Sequence, residues 1–161
     1  MAKGNTILIS QEPRGRFLEG IIDTAELPGT AVQIDTSQAL VGGRHHWVPY
    51  NVAADGSRPS GPIIILLEDT MQGKAMTAAY TAAKQAFGYV PLPGDELNLL
   101  IGHAVVAGTA TIAVGTVLIP DDGTGTFIPT TGSPEIEPAM TLEASADPGA
   151  NALAWAIWSG Y

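Results

Sequence analysis

Apolar residues occur along most of the chain in short runs that are separated by turn residues. The run TAVQID (residues 30–35) alternates apolar and polar positions, which is typical of a strand with one buried face. The run PIIILLE (residues 62–68) contains five consecutive apolar residues, IIILL, so we expect both of its faces to be covered. By these criteria we predict strands at residues 6–10, 30–35, 44–50, 62–68, 86–92, 97–102, 103–108, 111–120, 126–130, 139–145 and 151–161.

The spacing of these runs predicts one all-β domain, a sandwich or a barrel, with short strands and tight turns. Gly-Gly, Asp-Gly and Pro-Gly pairs between the runs supply the backbone conformations that such turns need. Residues 73–89 have a different period, because they are rich in alanine and place Met76, Tyr80 and Phe87 on one face of a helix. We therefore expect at most one short helix, near residues 74–86.

Two segments of the chain resemble each other. GTAVQID (residues 29–35) and GTVLIPD (residues 115–121) both read Gly-Thr, then mostly apolar residues, then Asp at a turn. Two short matches do not establish a repeat. They predict that the fold uses two similar hairpin corners.

Charge is distributed unevenly along the 161 residues, whose formal net charge is −9. Residues 1–84 hold all seven basic residues and eight acidic ones, whereas residues 85–161 hold eight acidic residues and no Lys or Arg. The second half would repel a phosphate backbone, so we predict no binding to nucleic acid. A near-neutral first half could instead contact an acidic protein partner.

One long segment without charged residues raises the question of a membrane span. Residues 97–120 contain no charged side chain and are long enough to cross a bilayer. They also contain Asn98, His103 and three glycines, and they are flanked by Glu96 and Asp121. We therefore predict buried strands here and no membrane partner.

The segment IPDDGTGTF (residues 119–127) has the composition of a binding site. Its adjacent carboxylates, Asp121 and Asp122, lack the alternation and the distant Glu of a calcium loop. The order Asp-Gly-Thr-Gly is not that of an aspartic protease, and the Lys of a phosphate-binding loop is missing. An apolar strand, a Gly-rich turn and a second apolar strand predict a hairpin corner.

No residues are predicted to be catalytic, to bind a cofactor or to ligate a metal. His45 and His46 are neighbours on a predicted strand, so their side chains point to opposite faces and cannot readily share one ion. We expect one ring to be packed and the other exposed. The chain has no Cys and no Gly-x-Ser-x-Gly sequence, so no nucleophile is indicated.

Residues suited to binding a protein partner occur near both ends of the chain and at Trp47. We predict an extended N-terminal arm, residues 1–16, followed by a β-rich domain, residues 17–161. The arm and its junction with the domain carry Lys3, Arg14, Arg16 and Phe17, and these are the candidate interface residues. Trp47, Trp158 and Tyr161 are candidates for an apolar patch that contacts another copy or a partner.

The turns and strands occur in a characteristic order in the segments PGTAVQID, DGSRPSGPIIILLED, QGKAMTAAY, FGYVPLPGDELNLLI, VGTVLIPDDGTGTFIPTTG and ALAWAIWSGY. This order resembles that of the head decoration, or capsid cement, proteins of tailed bacteriophages. The resemblance implies a small β-rich protein, made in the host cytoplasm, that binds the outer surface of the phage capsid in the virion. It would bridge subunits of the major capsid protein and stabilise the head, as a homotrimer or sometimes a dimer.

Two other functions are compatible with a small β-rich chain. A carbohydrate-binding or adhesin-like module would need a groove lined by an exposed tryptophan, Trp47 or Trp158. A small β-fold hydrolase would need an acid–base pair drawn from the carboxylates Asp95, Glu96, Asp121 and Asp122.

Overall fold

The computed structural model describes residues 6–10, 12–51, 61–69, 75–102, 111–130, 139–142, 145–146 and 152–159. All regular secondary structure within these ranges is β-strand. Most of the strands form two closed barrels of five strands each, which follow one another along the chain. This confirms the predicted all-β barrel class, with two barrels in place of a single one.

The first barrel is built from the first five strands in the order β1-β3-β2-β4-β5. Strand β1 runs parallel to β3, and every other neighbouring pair is antiparallel. Closing the sheet leaves no free edge for unwanted pairing. The strands are β1 (Arg16–Ile22), β2 (Ala31–Asp35), β3 (His45–Pro49), β4 (Ile64–Leu66) and β5 (Lys84–Val90).

The second barrel has the order β10-β12-β6-β9-β8. Strand β6 runs parallel to β9, and the remaining pairs are antiparallel. Two short strands, β7 (Thr111–Ile112) and β11 (Ser145–Ala146), pair with each other outside the barrel. The strands of the barrel are β6 (Glu96–Ile101), β8 (Val117–Pro120), β9 (Phe127–Pro129), β10 (Ala139–Thr141) and β12 (Ala152–Trp158).

The two barrels repeat the same topology and the same register. In chain order, the first strand of each barrel lies parallel to the third, and the fifth strand pairs with the first. Ala31 pairs with Ile65 in the first barrel, and Val117 pairs with Met140 in the second. The registers of the other strand pairs agree with this alignment. The equivalent positions used below are Phe17 and Glu96, Ala31 and Val117, Trp47 and Phe127, Ile65 and Met140, and Tyr89 and Ile157.

Hydrogen bonds beside the strands repeat as well. The amide of Gly29 donates to the carbonyl of Leu66 at 2.8 Å, and the amide of Gly115 donates to that of Thr141 at 2.9 Å. Both glycines have positive φ, 86° and 83°, which only glycine adopts without strain. The two similar segments GTAVQID and GTVLIPD therefore occupy equivalent corners of two barrels, as the sequence predicted.

A tryptophan fills each barrel. Trp47 lies inside the first barrel, where its indole packs over Gly20 and Gly88; a Cβ on Gly20 would approach the indole to 2.2 Å. Trp158 lies inside the second barrel, and its ring meets that of Phe127 edge to face at a centroid distance of 6.5 Å. Burial of such large aromatic side chains is a major source of core stability.

The barrels pack directly against each other. Ala31, Ile65 and Tyr89 project outward from the first barrel and are completely buried in one cluster with the core of the second. The amide of Ala31 donates to the carbonyl of Gly125 at 2.8 Å, and the amide of Gly123 donates to the carbonyl of Tyr50 at 2.9 Å. The hairpin corner at residues 119–127 thus joins the two barrels, in addition to turning the chain.

The helix expected near residues 74–86 is not present in residues 75–86. Turns precede β5, which begins at Lys84, and Ala83 has a positive φ of 59° that a helix does not allow. The buried Tyr80 explains this difference, because its hydroxyl donates to the carbonyl of Leu67 at 2.9 Å inside the first barrel. Tertiary burial here outweighs the helix propensity of the alanines.

The remaining strand predictions differ from the structure in detail. Strand β1 was not predicted, and the predicted strand at residues 111–120 is divided by a turn into β7 and β8. Residues 6–10 make one isolated bridge, Leu8 to Leu97, in place of a full strand. The predicted strand at residues 103–108 lies outside the described residues.

Candidate functional site

Residues 6–10 lie against the second barrel, although they precede the first barrel in the chain. Ile7 is completely buried in the core cluster of the second barrel. The amide of Asn98 donates to the carbonyl of Ile7 at 2.7 Å, and the amide of Ile7 donates to Glu68 at 2.9 Å. The Thr6 hydroxyl also donates to Glu68. This part of the predicted arm is therefore fixed to the body of the protein, while the proposed domain division at residues 16 and 17 stays a prediction.

Asp95 fixes the next part of the N-terminal segment. Its carboxylate is buried and accepts hydrogen bonds from the amide of Arg14 at 3.2 Å, the amide of Leu92 at 2.8 Å and the hydroxyl of Tyr89 at 2.7 Å. The amide of Gly15 donates to the same Tyr89 hydroxyl at 2.5 Å. A buried carboxylate is tolerated when several donors satisfy it, and this one holds three chain segments together.

The acid–base chemistry of Tyr89 reflects this environment. Burial, the largest cause, and the hydrogen bond to the Asp95 carboxylate, which favours the neutral hydroxyl, raise the pKa of Tyr89 to about 12. The phenol therefore stays protonated and continues to donate at any physiological pH. The group made by Tyr89 and Asp95 is a fixed anchor for residues 14 and 15.

This anchor presents a cationic and aromatic surface to solvent. Arg14 and Arg16 are exposed, and Phe17 is 61% exposed, with its ring 5.1 Å from that of Tyr89. Neither guanidinium has a carboxylate partner within the described part of the chain. By contrast, Arg44 pairs with Glu19 at 3.0 Å. We call Arg14, Arg16 and Phe17 the cationic surface.

An open cleft lies beside the cationic surface. It has a volume of about 400 Å³, and its lining comes from the N-terminal segment (Ile9, Ser10, Glu12 and Arg14) and from the turn at Gly94 to Glu96. The carboxylate of Glu96 is engaged, since it accepts from the indole of Trp155 at 3.0 Å. The cleft is polar and wide, and no group of three metal-ligating side chains occurs among the residues that the structure describes.

The other residues predicted for an interface are placed differently. Trp47 and Trp158 are 1% exposed and fill the two barrels, so the prediction that they form a surface patch is wrong. Because both side chains fill core volume, neither tryptophan lines a groove that could bind a carbohydrate. Lys3 and Tyr161 lie outside the described residues.

Three of the carboxylates considered for hydrolysis, Asp95, Glu96 and Asp121, make structural contacts. Asp121 accepts a hydrogen bond from the hydroxyl of Thr124 at 2.9 Å within the hairpin corner. Strands β8 and β9 pair on either side of this corner, and Gly123 and Gly125 have positive φ, which confirms the predicted hairpin. The carboxylate of Asp95 accepts hydrogen bonds from the three donors described above, two backbone amides and the Tyr89 hydroxyl.

The adjacent histidines separate as expected. His45 is exposed, whereas His46 is largely buried and its Nδ1 lies 2.6 Å from Oδ1 of Asp23. Gln38 donates to the other oxygen of Asp23 at 2.7 Å. This group ties the β2–β3 hairpin to the end of β1, which is a structural role.

The sequence pointed to the cations but not to their anchor. Asp95 follows Pro-Gly in PLPGDEL, a pattern that is typical of a solvated turn residue. Its partners, Tyr89 and Arg14, are respectively 6 and 81 residues away along the chain. A short-range pattern holds no signal for the second contact.

Comparisons with known proteins show a similar fold among solved structures but no matching family. No family model and no curated protein matches the chain. No helix in the described ranges is long and apolar enough to cross a membrane. Among solved structures, the fold is similar to that of a phage head protein.

That structure is the N base of the head fiber protein gp8.5 of bacteriophage phi29. It matches with a TM-score of 0.52 over 90% of this chain and 94% of the other. The sequences are 11% identical, so the likeness shows a shared fold across nearly the full length of both chains. It does not extend to individual residues.

Proposed function

We propose that the chain is a structural protein of a phage virion that binds the outer surface of the capsid and stabilises the head. The observation that carries this proposal is the full-length fold likeness to a protein named as a head fiber base. The resemblance of the turn and strand order to head decoration proteins supports it independently. A fold alone does not determine function, so a binding surface must support the same conclusion.

The cationic surface supplies that support. Arg14, Arg16 and Phe17 project from a backbone that Asp95 holds in place, so binding costs little conformational entropy there. Exposed arginines around an aromatic ring suit an acidic protein surface, where guanidinium groups bind carboxylates and the ring excludes water. Lys3, further along the segment, would add a third cation to this contact.

In this role the partner is the major capsid protein, and each bound molecule bridges neighbouring subunits. Copies would associate with themselves, as a homotrimer or a dimer, and the repeated contacts would add through multivalency. The location is the outside of the virion, after synthesis in the host cytoplasm. The role requires no catalysis, cofactor, metal, nucleic acid or membrane.

Cosedimentation with matching capsids that lack their own copy of the protein tests the proposal. We expect Arg14→Glu and Arg16→Glu each to weaken capsid binding at least about tenfold, because reversing a charge at an interface removes an attraction and adds a repulsion. Lys84→Glu is the matched control: it makes the same charge change at another exposed position and should leave binding unchanged.

Point substitutions are preferable to deleting residues 2–16. Ile7 belongs to the core of the second barrel, so deletion would remove core packing together with the cations. Binding of the Arg14→Glu and Arg16→Glu variants at the wild-type level would contradict the role of the cationic surface. Absence of wild-type protein from capsid pellets would contradict the proposed function itself.

A further inference from the structure

The contact between the two barrels is asymmetric. The first barrel contributes one side of its wall, the outward side chains of Ala31, Ile65 and Tyr89. The second barrel contributes a different side, which includes the hairpin corner at residues 121–126 and the outer side of β6. Because the two barrels have the same topology, each side has an equivalent on the other barrel that the internal contact does not use.

The unused equivalent on the second barrel is apolar and exposed. Val117, Met140 and Ile157 occupy the positions of Ala31, Ile65 and Tyr89, as the strand registers show. The first-barrel residues are completely buried, whereas Met140 is 37% exposed and Val117 and Ile157 are half-buried. Val114, in the turn before Val117, is 64% exposed. We call Val114, Val117, Met140 and Ile157 the open face.

The unused equivalent on the first barrel is apolar at the tip of its β2–β3 hairpin. The β2–β3 hairpin occupies the position of the corner at residues 121–126, and its tip exposes Leu40 by 55% and Val41 by 53%. Val41 and Arg44 exchange backbone hydrogen bonds of 3.0 Å around two glycines with positive φ, which makes a tight turn. A rigid tip of this kind loses little entropy on binding. We call Leu40 and Val41 the hairpin tip.

The contact inside the chain shows how these two surfaces fit. The carbonyl of Gly125, in the corner, accepts from the amide of Ala31, on the wall of the neighbouring barrel. A Cβ on Gly125 would lie 2.1 Å from the carbonyl oxygen of Ala31, so the corner and the wall are in close contact. The hairpin tip is equivalent to the corner, and the open face is equivalent to the wall. The same contact between two molecules would therefore place the hairpin tip of one against the open face of the other.

Charge favours this head-to-tail arrangement over a symmetric one. Residues 85–161 carry eight acidic residues and no Lys or Arg, so two second barrels facing each other would repel. Most of the first barrel lies within residues 1–84, where seven basic residues nearly balance eight acidic ones. Contact between a first and a second barrel avoids the repulsion.

We infer that the open face of one molecule receives the hairpin tip of a second copy of this chain. The contact is heterologous, so repeating it closes a ring, such as a trimer, or extends into a chain of barrels. The inference rests on the self-association within the proposed function and names the surfaces that carry it. It is tested without capsids, so capsid binding by the arginine variants remains a separate result.

Sedimentation velocity from micromolar to near-millimolar concentration provides the first measurement. We expect the wild type to associate, and Val114→Glu/Met140→Glu and Leu40→Glu/Val41→Glu each to weaken association by roughly tenfold or more, since a charge is placed in an apolar contact. Leu92→Glu is the matched control, because Leu92 is 45% exposed outside both surfaces. It should associate as the wild type does.

Mixing the two double variants distinguishes head-to-tail from symmetric contact. Each variant keeps one intact surface, so an equimolar mixture should form a one-to-one dimer and nothing larger. A mixture that stays monomeric, or a wild type that is monomeric at every concentration, overturns the inference. If a double variant unfolds, the single changes Met140→Gln and Val41→Gln replace it, and the same outcomes apply.

Discussion

The two barrels begin with equivalent strands whose chemistry is opposite. Phe17, the second residue of β1, has its ring exposed beside Arg16. The equivalent Glu96 follows the buried Asp95 and accepts a hydrogen bond from the indole of Trp155. In the first barrel this position is therefore exposed and available for the contact that we propose with a partner. The second barrel uses it to hold the molecule together. The same topology supports both uses, because function depends on the side chains placed on it.

The cores of the two barrels solve one packing problem in different ways. Trp47 enters the first barrel from its third strand and needs Gly20 and Gly88 to make room for the indole. In the second barrel the equivalent of Trp47 is Phe127, and the tryptophan, Trp158, comes from the last strand instead. Close packing requires a filled volume and not particular residues. This explains how two barrels with matching registers share so little sequence.

Removing either tryptophan should produce the largest effect on stability. We expect Trp47→Ala and Trp158→Ala each to lower the free energy of unfolding by about 3–5 kcal/mol, from lost burial and the cavity left behind. Urea denaturation followed by circular dichroism measures this. Because the barrels share a buried cluster, we expect one transition in both variants.

An aromatic side chain at the surface provides the control for this comparison. Phe17→Ala should change the free energy of unfolding by less than about 0.5 kcal/mol, because the ring is exposed. Two separate transitions, with only one shifted by each variant, would show that the barrels fold independently and that their interface contributes little.

A smaller effect is expected where the barrels meet. Gly123 and Gly125 both have positive φ, 75° and 67°, but a Cβ on Gly123 would meet open space and one on Gly125 would strike the backbone of Ala31. Gly123→Ala should cost about 1 kcal/mol from backbone conformation alone. Gly125→Ala should cost roughly twice that or more, since the corner must also move away from the first barrel.

Thermal unfolding of the two glycine variants measures the strength of the interface against a matched backbone change. Equal losses of stability in both variants would mean that the corner stabilises the protein only through its turn conformation, with no contribution from its contact with the first barrel. A larger loss for Gly125→Ala, with more exposed hydrophobic surface detected by dye binding, would support the contact between corner and wall.

The sequence predicts the parts of this fold that depend on neighbouring residues. Strand β2 was found from alternation, and the corner at residues 119–127 was found from its glycines. Strand β1 was missed because Gly20 occupies one of its inward positions and weakens the apolar pattern of RFLEGII. The helix near residues 74–86 was predicted from alanine propensity, which the burial of Tyr80 overrides.

The candidate site could be predicted only in part. Arg14, Arg16 and Phe17 could be named as candidates because basic residues are visible in a sequence and Phe17 directly follows Arg16; their binding of a partner stays a prediction. Their anchor could not be named, since the bond from Arg14 to Asp95 connects positions 81 residues apart. The tryptophans were misassigned for a related reason: an indole suits either a core or a surface patch, and only the tertiary structure decides between them.

The smallest effect concerns the pKa of two buried tyrosines, one inside the first barrel and one between the barrels. Burial is the main cause that raises the pKa of Tyr80, inside the first barrel, and of Tyr89, between the barrels, to about 12 in both. An unfolded tyrosine ionises near pH 10. Because the folded pKa is higher, the stabilisation is complete below about pH 10 and is lost as the pH rises towards about 12. Ultraviolet difference absorbance of tyrosinate follows both groups.

Asp95→Asn separates the two tyrosines. The carboxylate raises the pKa of Tyr89 and is absent from the causes that act on Tyr80, so the substitution should lower the pKa of Tyr89 alone. Burial should still keep it above about 10. Tyr80→Phe simplifies the titration by removing the other late group. An unchanged late titration in Asp95→Asn/Tyr80→Phe would mean that burial alone sets this pKa, and that the carboxylate anchors residues 14 and 15 without controlling the phenol.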